Sequence, residues 1–207
     1  MRQHHSIKKV LVGAISFFAV VLIISTGKVS VAEQYHNYVM DQDYFSCEIP
    51  MGWNLVREEE KDEEYNIYEI LLTKSSGGKI PAAIYVSYYA KDNEDFSDYK
   101  NFLERNSKNI AGETKNFREK YGPVKKIQLK GGNGFELERE RLVYLSPQSK
   151  FDVSEAIKEL LYVLPSDTGG FYVLHYTAPR EYFEELLPVF KKVAESFIPQ
   201  KSALLRK

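Results

Sequence analysis

Cysteine is all but missing from this 207-residue chain: Cys47 is the only one. No internal disulfide can form, so the fold rests on packing and not on crosslinks. Histidine is scarce as well. Of four, His4 and His5 stand at the very start, leaving His36 and His175 in the body of the chain. Two separated histidines and one cysteine fall short of the three or four ligands a zinc site needs at workable spacing. No metal and no cofactor is expected. The sequence also lacks a G-x-S-x-G elbow, a P-loop, an H-E-x-x-H pair and a dinucleotide fingerprint. The acidic run 58–64 lacks the alternating ligands and turn glycine of a calcium loop. There is no long internal repeat, and only one long apolar run.

That run, Val10–Ile24, spans 15 residues broken only by Gly13 and Ser16. Arg2, Lys8 and Lys9 precede it, and Ser30-Val31-Ala32 places small side chains at the two positions a signal peptidase reads. A positive n-region, an apolar h-region and a small-residue site make a secretory leader over 1–32. The run is short of the roughly 20 residues that cross a bilayer core. An uncleaved inner-membrane anchor over residues 10–27 is the alternative. Both place the rest of the chain outside the cytoplasm, in the periplasm or its equivalent. No lipobox cysteine closes the h-region, and no twin arginine opens it.

Removing the leader takes four of 28 basic residues and none of 29 acids, leaving 24 against 29 and a net charge of −5. A general nucleic-acid binder would carry a basic surface instead. What the chain does have is aromatic rings, 15 Tyr and 12 Phe, suited to half-buried sheet faces.

Residues 33–42 are polar with scattered aromatics and read as a linker. Phe45, Cys47 and Ile49 alternate along a strand that Pro50 and Gly52 end in a turn. Residues 57–64 read as a charged loop or hairpin tip. Tyr65–Thr73 and Ile80–Ala90 are strands with apolar groups on both faces, joined through Ser75-Ser76-Gly77-Gly78. Asp95–Ala111 takes helical spacing, with Asp95 or Ser97 as cap. Lys125–Lys130, Phe135–Leu145, Leu160–Leu164 and Phe171–Ala178 read as strands, and 153–159 fits either a helix turn or a strand. Tyr182, Leu186, Val189, Phe190, Val193 and Phe197 form one helical stripe. Pro188 interrupts it, which a helix restarting at that proline would resolve. Residues 199–207 are a basic tail. Strands joined mainly by tight turns give a largely antiparallel sheet of six or seven strands. Strands apolar on both faces need cover on both, so the fold class is α+β, an α/β/α sandwich.

Phe45-Ser-Cys-Glu-Ile-Pro50-Met-Gly52-Trp53 resembles the opening of PsbP-like domains. Ile127–Gly131 with Gly134-Phe135-Glu136 resembles their mid-domain strand–glycine–strand. Phe171–Pro179 and Pro188-Val-Phe190…Glu195-Ser196-Phe197 resemble their last strand and closing helix. The match spans residues 43–198. The chain is thus similar to the PsbP-like superfamily, which includes DcrB-like exported domains. The resemblance implies an α/β/α sandwich with an antiparallel sheet and a role in binding or stabilising other proteins. It carries over no site residue.

Few residues stand out chemically. Pro50, Gly52 and Trp53 read as a structural corner in which the indole seals the core, with a stacking site as the rival. Arg139 and Arg141 share one strand face, opposite Glu136, Glu138 and Glu140. They could hold an anionic partner, or belong to a charged edge strand with cross-strand ion pairs. Cys47 and His175 could form a nucleophile–base pair; a buried thiol and a core histidine are the plainer account. The sequence therefore reads as an exported, non-catalytic domain that binds or stabilises a partner protein. A thiol-dependent hydrolase built on Cys47 and His175, and a small-ligand or metal carrier, are the alternatives.

Overall fold

The computed structural model describes residues 33–145 and 154–200; the leader lies outside them. Strands dominate: β1 (Tyr35–Val39), β2 (Phe45–Pro50), β3 (Asn54–Arg57), β4 (Ile67–Lys74), β5 (Ala82–Tyr89), β6 (Glu119–Tyr121), β7 (Lys125–Leu129), β8 (Gly132–Tyr144), β9 (Ser154–Pro165), β10 (Phe171–Pro179) and β11 (Ile198–Pro199). The helices are α1 (Glu59–Tyr65), α2 (Tyr99–Asn106) and α3 (Phe183–Ser196). Eight strands make one antiparallel sheet in the order β3-β4-β5-β10-β9-β8-β6, with β7 pairing beside β6 on β8. A separate three-stranded sheet runs β1-β2-β11. The class is α+β. The large sheet exceeds the expected six or seven strands because short β6, too short to show alternation, is added on one flank.

Alternation decides which layer each side chain joins. Leu160, Tyr162 and Leu164 of β9, Leu174 and Tyr176 of β10, and Ile84 and Val86 of β5 face a core shared with α3 and the small sheet. Phe190, Val193, Ala194 and Phe197 are wholly buried there. On the other face Leu161, Val163, Phe171 and Val173 pack under Phe102 and Leu103 of α2. Gly170 lets the β9–β10 turn tuck against β5: its φ is +75°, and a Cβ would run into the Tyr89 carbonyl.

Several expectations need correction. Residues 33–42 are not a linker: β1 pairs with β2 from Tyr35↔Pro50 to Val39↔Ser46. It is an edge strand with its polar side chains outward, so its composition mimics a tether. The domain reaches forward as well, through β11. Residues 57–64 are not a hairpin tip. Arg57 ends β3 and α1 follows, ended by Asn66 in the left-handed region (φ 53°). Its inner side is held by ion-paired Asp62 and not by an apolar stripe, so no apolar periodicity announces it. The helix expected over Asp95–Ala111 is shorter and is capped by Asp98, which accepts a 2.8 Å bond from the Asn101 amide. Segment 154–159 is strand, because its backbone is paired with β8 throughout and with β10 from Ile157 on. The closing helix runs through Pro188 without restarting. Pro188 is its sixth residue, so one backbone bond, to the Glu184 carbonyl, is forgone while the helix buries five side chains. β8 is not an edge strand, since it is paired on both sides.

Candidate functional site

A helix of eight residues is about 12 Å long, and the sheet, seven strands across because β6 and β7 share one side of β8, is about 29 Å wide. α2 therefore cannot cover its face of the sheet. The uncovered part lies between α1 and α2, over β4, β5 and β10. Here Leu71, Tyr85 and His175 are cross-strand neighbours on successive strands. Glu69 and Ser87 form the next pair, joined by a 2.6 Å hydrogen bond from the serine hydroxyl.

Two adjoining cavities occupy this space. One of about 450 Å³ runs along α1 and is floored by Val56, Ile67, Leu71 and Tyr85, with Tyr65 and Tyr89 as walls. Glu58, Asp62, Glu69 and Asp95 also line it. A second, of about 280 Å³, shares Glu69, Tyr85 and Tyr89 and extends past Phe96 and Asn106 to Arg139 and His175. No lysine, arginine or histidine is among the described residues lining the larger cavity. Arg57 is ion-paired with Asp62, lies 3.7 Å from Asp41 and donates to the Glu69 carbonyl at 3.4 Å. Burial, reinforced by Glu69, holds the phenols of Tyr85 and Tyr89 above their ordinary pKa. At neutral pH the cleft thus presents neutral phenol rings and carboxylates.

At the far end of the smaller cavity the charges cancel. Glu159 is 1% exposed and is held by both nitrogens of one guanidinium edge of Arg139. Arg141 reaches its Oε1 at 3.2 Å, and His175 Nε2 lies 3.2 Å from the same oxygen. Arg139 also donates to Asn106 Oδ1 on α2 at 3.0 Å. Burial by itself would raise the Glu159 pKa; the His175 hydrogen bond and the Arg139 charge outweigh it and hold the carboxyl down to about 2. Burial dominates at His175 and lowers its pKa, against the pull of Glu159. The imidazole is neutral at pH 7, with Nε2–H donating to Glu159 and the ring stacked on Tyr85 at 5.4 Å. Arg139 and Arg141, singled out in the sequence as a candidate binding face, are thus brought together around a buried acid. Arg139 is spoken for, while Arg141 is 44% exposed.

Cys47 and His175 do not meet. Cys47 is buried in the core between the small sheet and α3. Leu174 and Tyr176 point into that core, so His175 between them points away, with the large sheet intervening. Burial pushes the Cys47 thiol up to about 12. The nucleophile–base pair is overturned. At the corner after β2, Gly52 takes φ +87° and Trp53 is 8% exposed. Trp53 Nε1 donates to Glu33 Oε1 at 3.0 Å, and Lys74 bridges the same carboxylate at 2.9 Å. Among the described residues no group of three His, Cys, Asp or Glu side chains is placed to hold a metal.

Sequence reasoning missed Glu69, Tyr85, Tyr89, Asp95 and Glu159. A signal existed for two of them. Glu69 stands between Ile67 and Leu71, and Glu159 precedes Leu161 and Val163, each a carboxylate set into an otherwise apolar strand face.

The architecture is that of an α+β domain with an antiparallel sheet packed on both faces. Among solved structures it is similar to the cyanobacterial PsbP (CyanoP) of Synechocystis sp. PCC 6803, with a TM-score of 0.48 and 14% identity over 86% of this chain and 99% of that one. It is similar to LpqN, involved in cell envelope biogenesis of Mycobacterium tuberculosis (TM-score 0.46, 17% identity, 82% and 92% covered). It is similar also to the Saccharomyces cerevisiae Ran-binding protein Mog1p (TM-score 0.44, 10% identity, 80% and 95% covered). No family model and no curated protein matches the chain. Among the described residues no helix is long and apolar enough to cross a membrane.

Proposed function

We propose that this is an exported binding domain whose cleft between α1 and α2 receives an extended segment of a partner protein through a lysine or arginine side chain. Export rests on the n-, h- and c-region order of residues 1–32. The observation that carries the binding reading is the cleft itself. Its size, about 450 Å³, falls in the range of ligand sites. An aliphatic and phenolic floor accommodates a methylene stem; Asp62 is engaged by Arg57, and Asp95 in the loop before α2, with Glu58 and Glu69 beside it, supplies the negative charge that complements a cationic head. A flexible stem with a charged tip matches that division. The neighbouring Arg139 does not oppose it, because Glu159 holds that charge.

The test is photocrosslinking in the source cells from a benzophenone side chain at Tyr65, on the cleft wall. One discrete adduct is expected, lost when Glu58 and Asp95 are both changed to lysine. The same side chain at Ile198, on the small sheet, serves as control. No adduct from Tyr65, or the same adducts from Ile198, refutes the assignment.

A further inference from the structure

The chain between α2 and β6 makes two tight turns, and each thrusts an apolar side chain into solvent. Ile110 is fully exposed and Phe117 is 81% exposed; no other large apolar side chain among the described residues exceeds 53%. Both follow an asparagine that builds the turn. Asn109 N–H donates to the Glu113 carbonyl at 2.9 Å, and Gly112, at φ +80°, donates back to Asn109 at 2.9 Å. Asn116 Oδ1 accepts from the amides of Arg118 and Glu119 at 2.8 and 2.9 Å. The Glu113 carboxylate ties the two turns together, accepting from the side chains of Asn109 and Asn116 at 3.0 and 3.3 Å. A slack loop could fold such side chains back onto the domain. This one is braced against doing so.

The surroundings are cationic in an otherwise acidic domain. Between residues 104 and 121 stand Arg105, Lys108, Lys115, Arg118 and Lys120 against Glu104, Glu113 and Glu119. Glu104 pairs with Lys108 at the surface (3.2 Å), and Glu119 faces Arg141 across the strands. The Arg118 guanidinium lies over both Phe117 and Tyr144, at 4.8 and 5.3 Å, so charge sits directly behind the second apolar tip. Under the first tip a groove of about 710 Å³ is lined by Arg105, Lys108, Ile110 and Tyr121, among others.

We propose that this double turn docks on an anionic phospholipid surface, Ile110 and Phe117 entering the headgroup–acyl boundary while the flanking cations meet lipid phosphates. Apolar tips backed by lysine and arginine are the arrangement that interfacial binding requires. Charge complementarity selects anionic headgroups. The inference is independent of the cleft: it assigns the domain a second surface, whether or not the N-terminal segment is retained.

The test uses the full-length chain held on vesicles through an added C-terminal histidine tag and a nickel-chelating lipid, a tether that works whatever the charge of the other lipids. An environment-sensitive fluorophore on Ala111→Cys, beside Ile110, reports loop contact; Cys47 is buried and stays unlabelled in the native fold. In phosphatidylcholine–phosphatidylglycerol vesicles carrying spin-labelled lipid, the emission should shift to the blue and be quenched. All-phosphatidylcholine vesicles should leave it water-like, and salt well above roughly 0.1 M should weaken the contact by screening. Adding Ile110→Ser and Phe117→Ser should lower the contact equilibrium by at least about tenfold. A water-like label in both vesicle types overturns the proposal. So does equal quenching of a label at Glu185→Cys on α3. Loss of contact on adding excess glycerol phosphate would make the ligand a soluble phosphate ester and overturn the bilayer assignment.

Discussion

Arg139 and Glu159 sit directly opposite each other on β8 and β9 and form a paired guanidinium–carboxylate contact with the acid wholly out of water. Breaking such a pair from one side strands a buried charge, which costs about 3–5 kcal/mol. Glu159→Gln and Arg139→Ala should each destabilise by that amount in urea titrations. Arg141→Ala should cost only about 0–1 kcal/mol, because that guanidinium is 44% exposed. Replacing Arg139 and Glu159 together by leucine should recover most of the single-variant loss.

The same cluster sets a pH dependence. The folded-state pKa of Glu159 and of His175 are both depressed. In each case the unfolded chain binds the proton more readily, so stability rises with pH across the interval between the two values. Melting temperature should be flat above about pH 7 and decline below about 6.5, where an unfolded histidine protonates. A second decline should begin below the ordinary carboxylate value, 4.5, and continue to about 2. His175→Gln should remove the first decline and leave the second. Melts monitored by circular dichroism from pH 8 to pH 3 would show whether it does.

Trp53 closes one end of the larger core and is pinned through Glu33 and Lys74. Trp53→Ala should cost about 3–5 kcal/mol, as large aromatic truncations do. Trp53→Phe keeps a six-membered ring but loses the rest of the indole and its N–H bond, for about 1–3 kcal/mol. Equal losses in the two variants would show that packing contributes nothing at the corner.

Cys47 should resist alkylation at pH 8 in the native state and react with one equivalent once denatured, since only the thiolate attacks and burial suppresses it. His175→Gln should leave the native labelling rate unchanged, because the sheet separates the two side chains. Rapid labelling of the native protein that the substitution slows would reinstate the thiol-enzyme reading.

Period-two alternation made the long strands legible: β5 and β10 were placed to within two residues, and their apolar groups on both faces demanded two covering layers. What alternation cannot register is a strand of mixed polarity such as β1, or a helix such as α1 whose inward group is the carboxylate of Asp62. The site was less legible than the fold. Arg139 and Arg141 were visible as a face, but their acid, Glu159, lay in a segment whose period fitted helix as well as strand. The cleft draws on β3, α1, β4, β5 and the loop before α2, elements adjacent only after the sheet has formed. No spacing along the chain encodes that neighbourhood.

β1 and β11 flank β2, and Val39 and Ile198 both pair with Ser46. Two inter-strand steps put these residues about 10 Å apart, although they lie near opposite ends of the folded unit. Both run antiparallel to β2 and so parallel to each other: β1 starts opposite Pro50 and β11 ends opposite Phe45, which leaves the two ends of the unit about 20 Å apart. A linker of about ten residues would join them, and the chain could then be reopened in the β4–β5 connection at Ser75–Gly78 to give a circular permutant of the same architecture. Setting the unit into a surface hairpin of a host protein would need flexible linkers at both junctions, because its entry and exit lie diagonally across the small sheet.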